Sequence, residues 1–354
     1  MVFFQKGAAF IQPLLIIALL FIIVMGIKTT GFIINLLLVS IILTLLGLPA
    51  IEWLKKKGFP NIVSVTIVTG IAGIFILFLI VVAAFSFHVL VADLPIYQAE
   101  LNERIAGISS FLGNVGIQKN MVIPSSINLG AIASVIMSSV LNIGDTIMTL
   151  FIIAVTTFFM LLEAPHLKTR MEKIFTNEKE KLAQLSNMSK YIIDFVVVRT
   201  ETNIVHGVLF GGFLSIMGVH AALLWGILTF VLCFIPYIGL IIAAIPAIFF
   251  AWLQFGTWGA AAVIAAVCVL NLIVENPVFS YFASRKFEMP AVIVLLSVIF
   301  WGWLLGITGM LFAIPITLML LIVFECSDDF RWVNELLGVS HLFEDPGQHE
   351  NKKE

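Results

Sequence analysis

Two apolar runs in this chain are too long for a single membrane crossing, and both are cut where a crossing helix would be continuous. Residues 221–253 make 33 positions, about 50 Å of straight helix against a hydrocarbon core about 30 Å thick. At the middle stands Phe234-Ile235-Pro236-Tyr237-Ile238-Gly239. Pro236 removes a backbone donor and clashes with the preceding turn, and Gly239 relaxes the backbone just after it. Each half is about 15 residues, roughly 22 Å, too short to cross alone. Run 291–324 has the same design, broken at Trp301-Gly302-Trp303-Leu304-Leu305-Gly306-Ile307-Thr308-Gly309. Both runs carry Ala-Ile-Pro in their second half, at Ala244-Ile245-Pro246 and Ala313-Ile314-Pro315. Pro236, Gly239, Gly302, Gly306, Gly309 and Pro315 are the expected hinges. Each run is either one long kinked helix or a re-entrant hairpin that enters and leaves on the same face.

Six further runs, at 10–27, 31–51, 62–90, 146–163, 203–219 and 258–275, have the length of ordinary spans. The first is read as a retained helix, because no small-residue cleavage site separates it from the second. Composition agrees: 61% of residues are hydrophobic and 11% charged, against about 45–50% and 25% in soluble proteins. A soluble enzyme, a nucleic-acid binder and a disordered scaffold are excluded, and a net charge of −2 gives no footprint for a polyanion. Cys233, Cys268 and Cys326 have neither disulfide nor metal spacing. No phosphate-cradling loop and no His-Glu-x-x-His occurs. The expectation is an all-α polytopic membrane protein with about six full transmembrane helices and two broken or hairpin segments, with no enzymatic role, cofactor or metal.

Loop charge orients it. Lys55, Lys56 and Lys57, and the Lys/Arg-rich segment 164–202, should be cytoplasmic, with both termini on that side. Segment 93–145 is poor in Lys and Arg and should face outside. Within it Leu94, Tyr97, Leu101, Ile105, Ile108 and Leu112 form one helical stripe, packed on its own subunit, on the bilayer surface or on a second subunit. The expected division is 1–92 for the N-terminal helices, 93–145 outside, 146–163 for the fourth helix and 164–202 in the cytoplasm. Residues 203–327 form the transport region and 328–354 a cytoplasmic tail. Loop 276–290, with Arg285 and Lys286, is cytoplasmic only if the first broken run is a hairpin.

Ionisable groups at membrane depth are costly and usually functional. Glu275 ends an apolar run four residues after Asn271, a spacing that sets both on one face of a regular helix, with Asn276 and Pro277 directly following. A partly desolvated carboxyl there has the chemistry to exchange a proton or bind a monovalent cation. The alternative is a carboxylate at a helix end, or one paired with Arg285. Arg199, Glu201, Asn203 and His206 lie at the start of the fifth span, either lining a solute path or forming a polar interfacial turn. Tyr237, at a break, has a phenol that needs a partner. Trp301 and Trp303 read as interface anchors. Gly207-x-x-x-Gly211 and Gly302-x-x-x-Gly306 permit close helix approach.

The blocks Asn203-Ile204, Gly207-Val208-Leu209, Gly218-Val219-His220-Ala221-Ala222-Leu223-Leu224-Trp225-Gly226 and Ile235-Pro236-Tyr237-Ile238-Gly239 resemble the autoinducer-2 exporter family of bacterial and archaeal membrane proteins. Asn271, Glu275-Asn276-Pro277, Phe300-Trp301-Gly302-Trp303-Leu304-Leu305-Gly306, Gly309-Met310-Leu311 and Ala313-Ile314-Pro315 continue the likeness. Val278-Phe279-Ser280-Tyr281-Phe282 departs from the small residues usual after the proline. The resemblance implies a homo-oligomer, a pentamer in that family, that moves small polar solutes by a sliding or alternating-access mechanism. Some branches of the family are linked to export of autoinducer-2 and others to sodium/proton antiport. A non-transporting scaffold whose outside and cytoplasmic segments bind partners is the reading from another class.

Overall fold

The computed structural model describes residues 21–114, 128–130, 143–174, 179–275, 289–325 and 330–339, together with a few single positions. Much of the N-terminal half of the expected first span falls outside them, while its residues 21–27 are helical; Asn276, Arg285, Lys286 and most of the tail also lie outside.

Every element among the described residues is helical. In chain order they are α1 (Gly31–Lys56), α2 (Asn61–Ala92), α3 (Leu94–Asn114), α4 (Ile143–Ile174) and α5 (Lys179–Met217). There follow α6 (Ala222–Leu232), α7 (Gly239–Leu270), a π-turn (Asn271–Glu275), α8 (Ala291–Leu305), α9 (Ile307–Leu311), α10 (Ala313–Glu325) and α11 (Arg331–Leu336). Among the described residues four stretches are long and apolar enough to cross a membrane: Gly31–Lys56, Asn61–Ala92, Asp145–Leu167 and Gly239–Glu275. Expected spans 31–51, 62–90, 146–163 and 258–275 fall within them, so four of the six expected spans are represented. Run 203–219 is the second half of α5, whose first half is polar. Side chains such as Ile74, Phe85 and Ile216 stand exposed along these helices, which only an apolar solvent makes inexpensive.

The helices form three packed groups. α1, α2 and α4 meet through Ile51, Val65 and Leu161. α5 packs on α6 and α7 through Phe210, Leu214, Trp225, Ala247 and Phe250. At the crossing, a side chain on Gly207 or Gly226 would run into the other's backbone carbonyl, so the two helices touch main chain to main chain. α10 lies against α1 and α5 through Ile42, Tyr191, Val196, Leu318 and Leu321, and the end of α8 lies against α1 through Leu304 and Leu305.

Both long runs reverse direction. Trp225 of α6 stacks on Phe250 of α7 with centroids 5.5 Å apart, and the His220 N–H donates to Gln254 at 3.3 Å. Residues 25 and 34 apart can meet in this way only if the chain doubles back between them. In the second run the Trp301 indole donates to the Thr317 hydroxyl at 2.9 Å. These two helical hairpins, α6–α7 and α8–α9–α10, replace the single kinked helix left open by the sequence.

At each bend the expected hinge residues do specific work. A Cβ on Gly239 would overlap the Leu232 carbonyl, and one on Gly309 the Trp301 carbonyl, so both legs close only over glycine. Gly306 turns the second hairpin at φ 70° and Tyr237 turns the first at φ 63°. Gly302 is buried with Met310 against it, Pro236 is half-buried in the first bend, and Pro315 is buried in α10. α7 bends again at Gly256, at φ 71° and ψ −156°. α3 packs its stripe on this hairpin, with Tyr97 and Leu101 buried and the Tyr97 ring 5.0 Å from that of Phe250. That is the own-subunit arrangement among the three expected for it.

Candidate functional site

The tips of the two hairpins meet. Ile235 packs with Val298 and Ala313, and Phe234 faces Phe312 with centroids 6.2 Å apart. The seam between them is bordered by polar side chains of α5 and the π-turn.

α5 presents Arg199, Asn203 and His206 at helical spacing, on one face. The Arg199 guanidinium is the hub. Its Nη1 donates to both carboxylate oxygens of Glu275, at 2.9 and 3.0 Å. Its Nε donates to the Cys233 carbonyl at 3.0 Å, and Nη2 donates to the same oxygen. Cys233 closes α6, so this carbonyl lies at the negative end of that helix, where a cation is favoured. The planar fork serves both acceptors at once, which a lysine ammonium does not reproduce. The Arg199 side chain is 11% exposed and that of Glu275 32%, so the pair is largely shielded from screening.

Asn203 is fully buried. Its amide, oriented by its neighbours, donates to the Arg199 carbonyl at 3.2 Å and accepts from the Phe234 N–H at 3.1 Å. Arg199 and Asn203 together satisfy consecutive backbone groups at the first tip. His206, one turn further, is also fully buried, and neither ring nitrogen has a hydrogen-bond partner.

The π-turn changes what the sequence led one to expect of Asn271 and Glu275. Its wider winding takes them off a common face: Glu275 turns inward to Arg199 while Asn271 is exposed. The carboxylate's partner is Arg199, one of the candidates at the start of the fifth span. Pro277 is exposed, and Tyr237 is 63% exposed at the first tip. Trp301 is half-buried inside its hairpin rather than anchored at an interface, while Trp303 is exposed beneath the Lys28 ammonium, 4.4 Å from its ring.

Sequence reasoning missed Asn35. Its side-chain amide donates to the Leu305 carbonyl at the second tip, at 3.1 Å. A lone amide inside the apolar run 31–39 was the available signal. It also missed Arg104 of α3, whose Nε and Nη2 donate to the Leu253 carbonyl at 3.3 and 3.2 Å, beside the Gly256 bend. A cleft of about 730 Å³ opens there, lined by Arg104, Trp252, Phe255 and Trp258.

Known proteins share this sequence along most of its length. The model of the AI-2E family transporters matches residues 12–327. The AI-2 transport protein TqsA of Escherichia coli is 26% identical over 316 residues, covering 89% of this chain and 92% of that protein. A putative transport protein of Haemophilus influenzae is 26% identical over 334 residues, covering 92% and 96%. The putative transport protein YrrI of Bacillus subtilis is 23% identical over 302 residues, covering 80% and 83%. With its apolar crossing helices, the chain is a multi-pass membrane protein, and it belongs to the AI-2E transporter family.

Proposed function

We propose that this protein is a secondary transporter of a small polar solute, with the seam between the hairpin tips as its path. The observation that carries the reading is the meeting of two hairpin bends beside the Arg199–Glu275 pair. Irregular backbone at membrane depth is tolerated only where protein or a water-filled cavity surrounds it, and paired interrupted helices point to a transport site. Asn203, His206, Tyr237, Asn271, Glu275, Asn276 and Pro277 are the path residues of this reading. Movement of the hairpins, in an alternating-access or elevator-like manner, exposes the seam to one side and then the other. The protein works as a homo-oligomer in the cell membrane with both termini in the cytoplasm.

A relative named for AI-2 transport makes that small polar signal the first solute to test. The carboxylate of Glu275 supports a second reading, coupled exchange of a monovalent cation for a proton. Purified protein in liposomes should show saturable, gradient-driven flux of AI-2 or another small polar solute, or of sodium against protons. Failure of the folded wild type to move any solute or ion overturns the reading and favours a scaffold.

A further inference from the structure

His206 is a buried imidazole with both nitrogens unused. A neutral ring offers one donor and one acceptor, and leaving both unmade in the interior is expensive. Such a group calls for a state, with a proton, water or another partner bound, that satisfies it.

Its surroundings define that state. The charged groups acting on the ring are Glu275 of the π-turn and Arg199 of its own helix, with the Leu270 backbone beside it short of hydrogen-bond geometry. The buried Cys233 thiol at the end of α6 faces the same pair. With neutral His206 the cluster holds one cation and one anion, and Glu275 belongs to Arg199 alone. A proton on His206 adds a second cation. It repels the guanidinium and competes for the carboxylate. The same guanidinium makes both side-chain hydrogen bonds to the Cys233 carbonyl, so weakening its seat at Glu275 loosens the first hairpin tip.

We propose that His206 is a proton-binding site whose occupancy releases Arg199 from the tip of the α6–α7 hairpin, making the proton the ion coupled to hairpin movement. The proposal rests on the transport reading of the seam.

Hydrogen–deuterium exchange of the full chain in lipid nanodiscs, read as protection factors for residues 231–239 between about pH 8.5 and 5.5, tests it. Wild-type protection should fall roughly tenfold on acidification, the ratio given by one pK unit of coupling. His206→Phe and the closer-sized His206→Gln should hold high-pH protection throughout. Glu275→Gln should lower protection at every pH. A pH-independent wild type overturns the proposal without any variant. A fall that persists in either folded His206 variant also overturns it and leaves the role of Arg199 and Glu275 standing. Wild-type protection retained in Glu275→Gln removes the ion pair from control of the tip. Absence of any flux in liposomes overturns the transport reading, whatever the exchange experiment shows.

Discussion

Asn35 donates its side-chain amide to the Leu305 carbonyl, at 3.1 Å, where the second hairpin turns. It is the counterpart of Arg199 on the Cys233 carbonyl at the first. In each hairpin the first leg ends on a carbonyl its own helix leaves unsatisfied, and a side chain of a long neighbouring helix takes it. One tip is held by a cation and the other by a neutral amide, so only the first answers directly to charge.

Replacing Asn35 tests the neutral clamp. Asn35→Ala should cost about 1–3 kcal/mol by stranding the Leu305 carbonyl. Asn35→Asp should be worse, since it sets an acceptor against an acceptor. Thermal unfolding in detergent reads both, and an Asp variant as stable as wild type removes the bond from the account.

Arg199→Lys should behave more like Arg199→Ala than like wild type, because one ammonium cannot reach both Glu275 and Cys233 in the fork's geometry. A fully buried broken pair costs about 3–5 kcal/mol; with Glu275 a third exposed, about 1–3 kcal/mol is expected. Full recovery of the melting temperature by lysine would show that charge alone suffices.

The bends should rank in tolerance. Gly306→Ala forces alanine into φ 70°, ψ −148°, backbone essentially reserved for glycine, in otherwise open space, and should cost about 1–3 kcal/mol. Gly239→Ala adds a methyl group that overlaps the Leu232 backbone, so it should greatly reduce the yield of folded protein. Comparable recovery of both variants by size-exclusion chromatography would contradict the close approach.

What the sequence revealed of this fold was whatever is encoded locally. Pro236, Gly239, Gly306 and Gly309 mark the bends because backbone conformation is decided within a few residues. The direction of the chain after each bend was left open, since it depends on packing such as Trp225 on Phe250. Glu275 stood out as a lone carboxylate, but its partner lies 76 residues away in sequence, and no local signal fixes such a register. Asn271-Leu272-Ile273-Val274-Glu275 reads as ordinary helix; the extra residue of a π-turn is set by tertiary contacts and has no signature in those five letters.

Tyr97 of α3 is 1% exposed. Burial above all, then the carboxylates of Asp93 and Glu100, raises its phenol above the ordinary value. The fold therefore favours the neutral form. That contribution is complete below about pH 10 and is lost as pH rises from the unfolded value towards the folded one. Between about pH 9 and 11 the melting temperature should fall further in wild type than in Tyr97→Phe. Equal falls would show that the phenol does not contribute.

At the other end of the second hairpin, the Glu325 side chain is 7% exposed, 3.0 Å from the Arg331 Nε and bonded at 2.8 Å by the buried Asn334 amide. Arg331→Ala should leave this carboxylate short of countercharge and cost about 1–3 kcal/mol. Glu325→Gln combined with it should recover part of the loss, as a double-mutant cycle would register.

Arg104 and Arg199 grip the same hairpin at opposite ends, each by two nitrogens on one main-chain oxygen. The bend at Gly256 separates that hairpin from the crossing segment that follows. The first hairpin is thus clasped at both ends. Loss of either clasp leaves the hairpin attached at the other, so its tip and its root can be loosened separately.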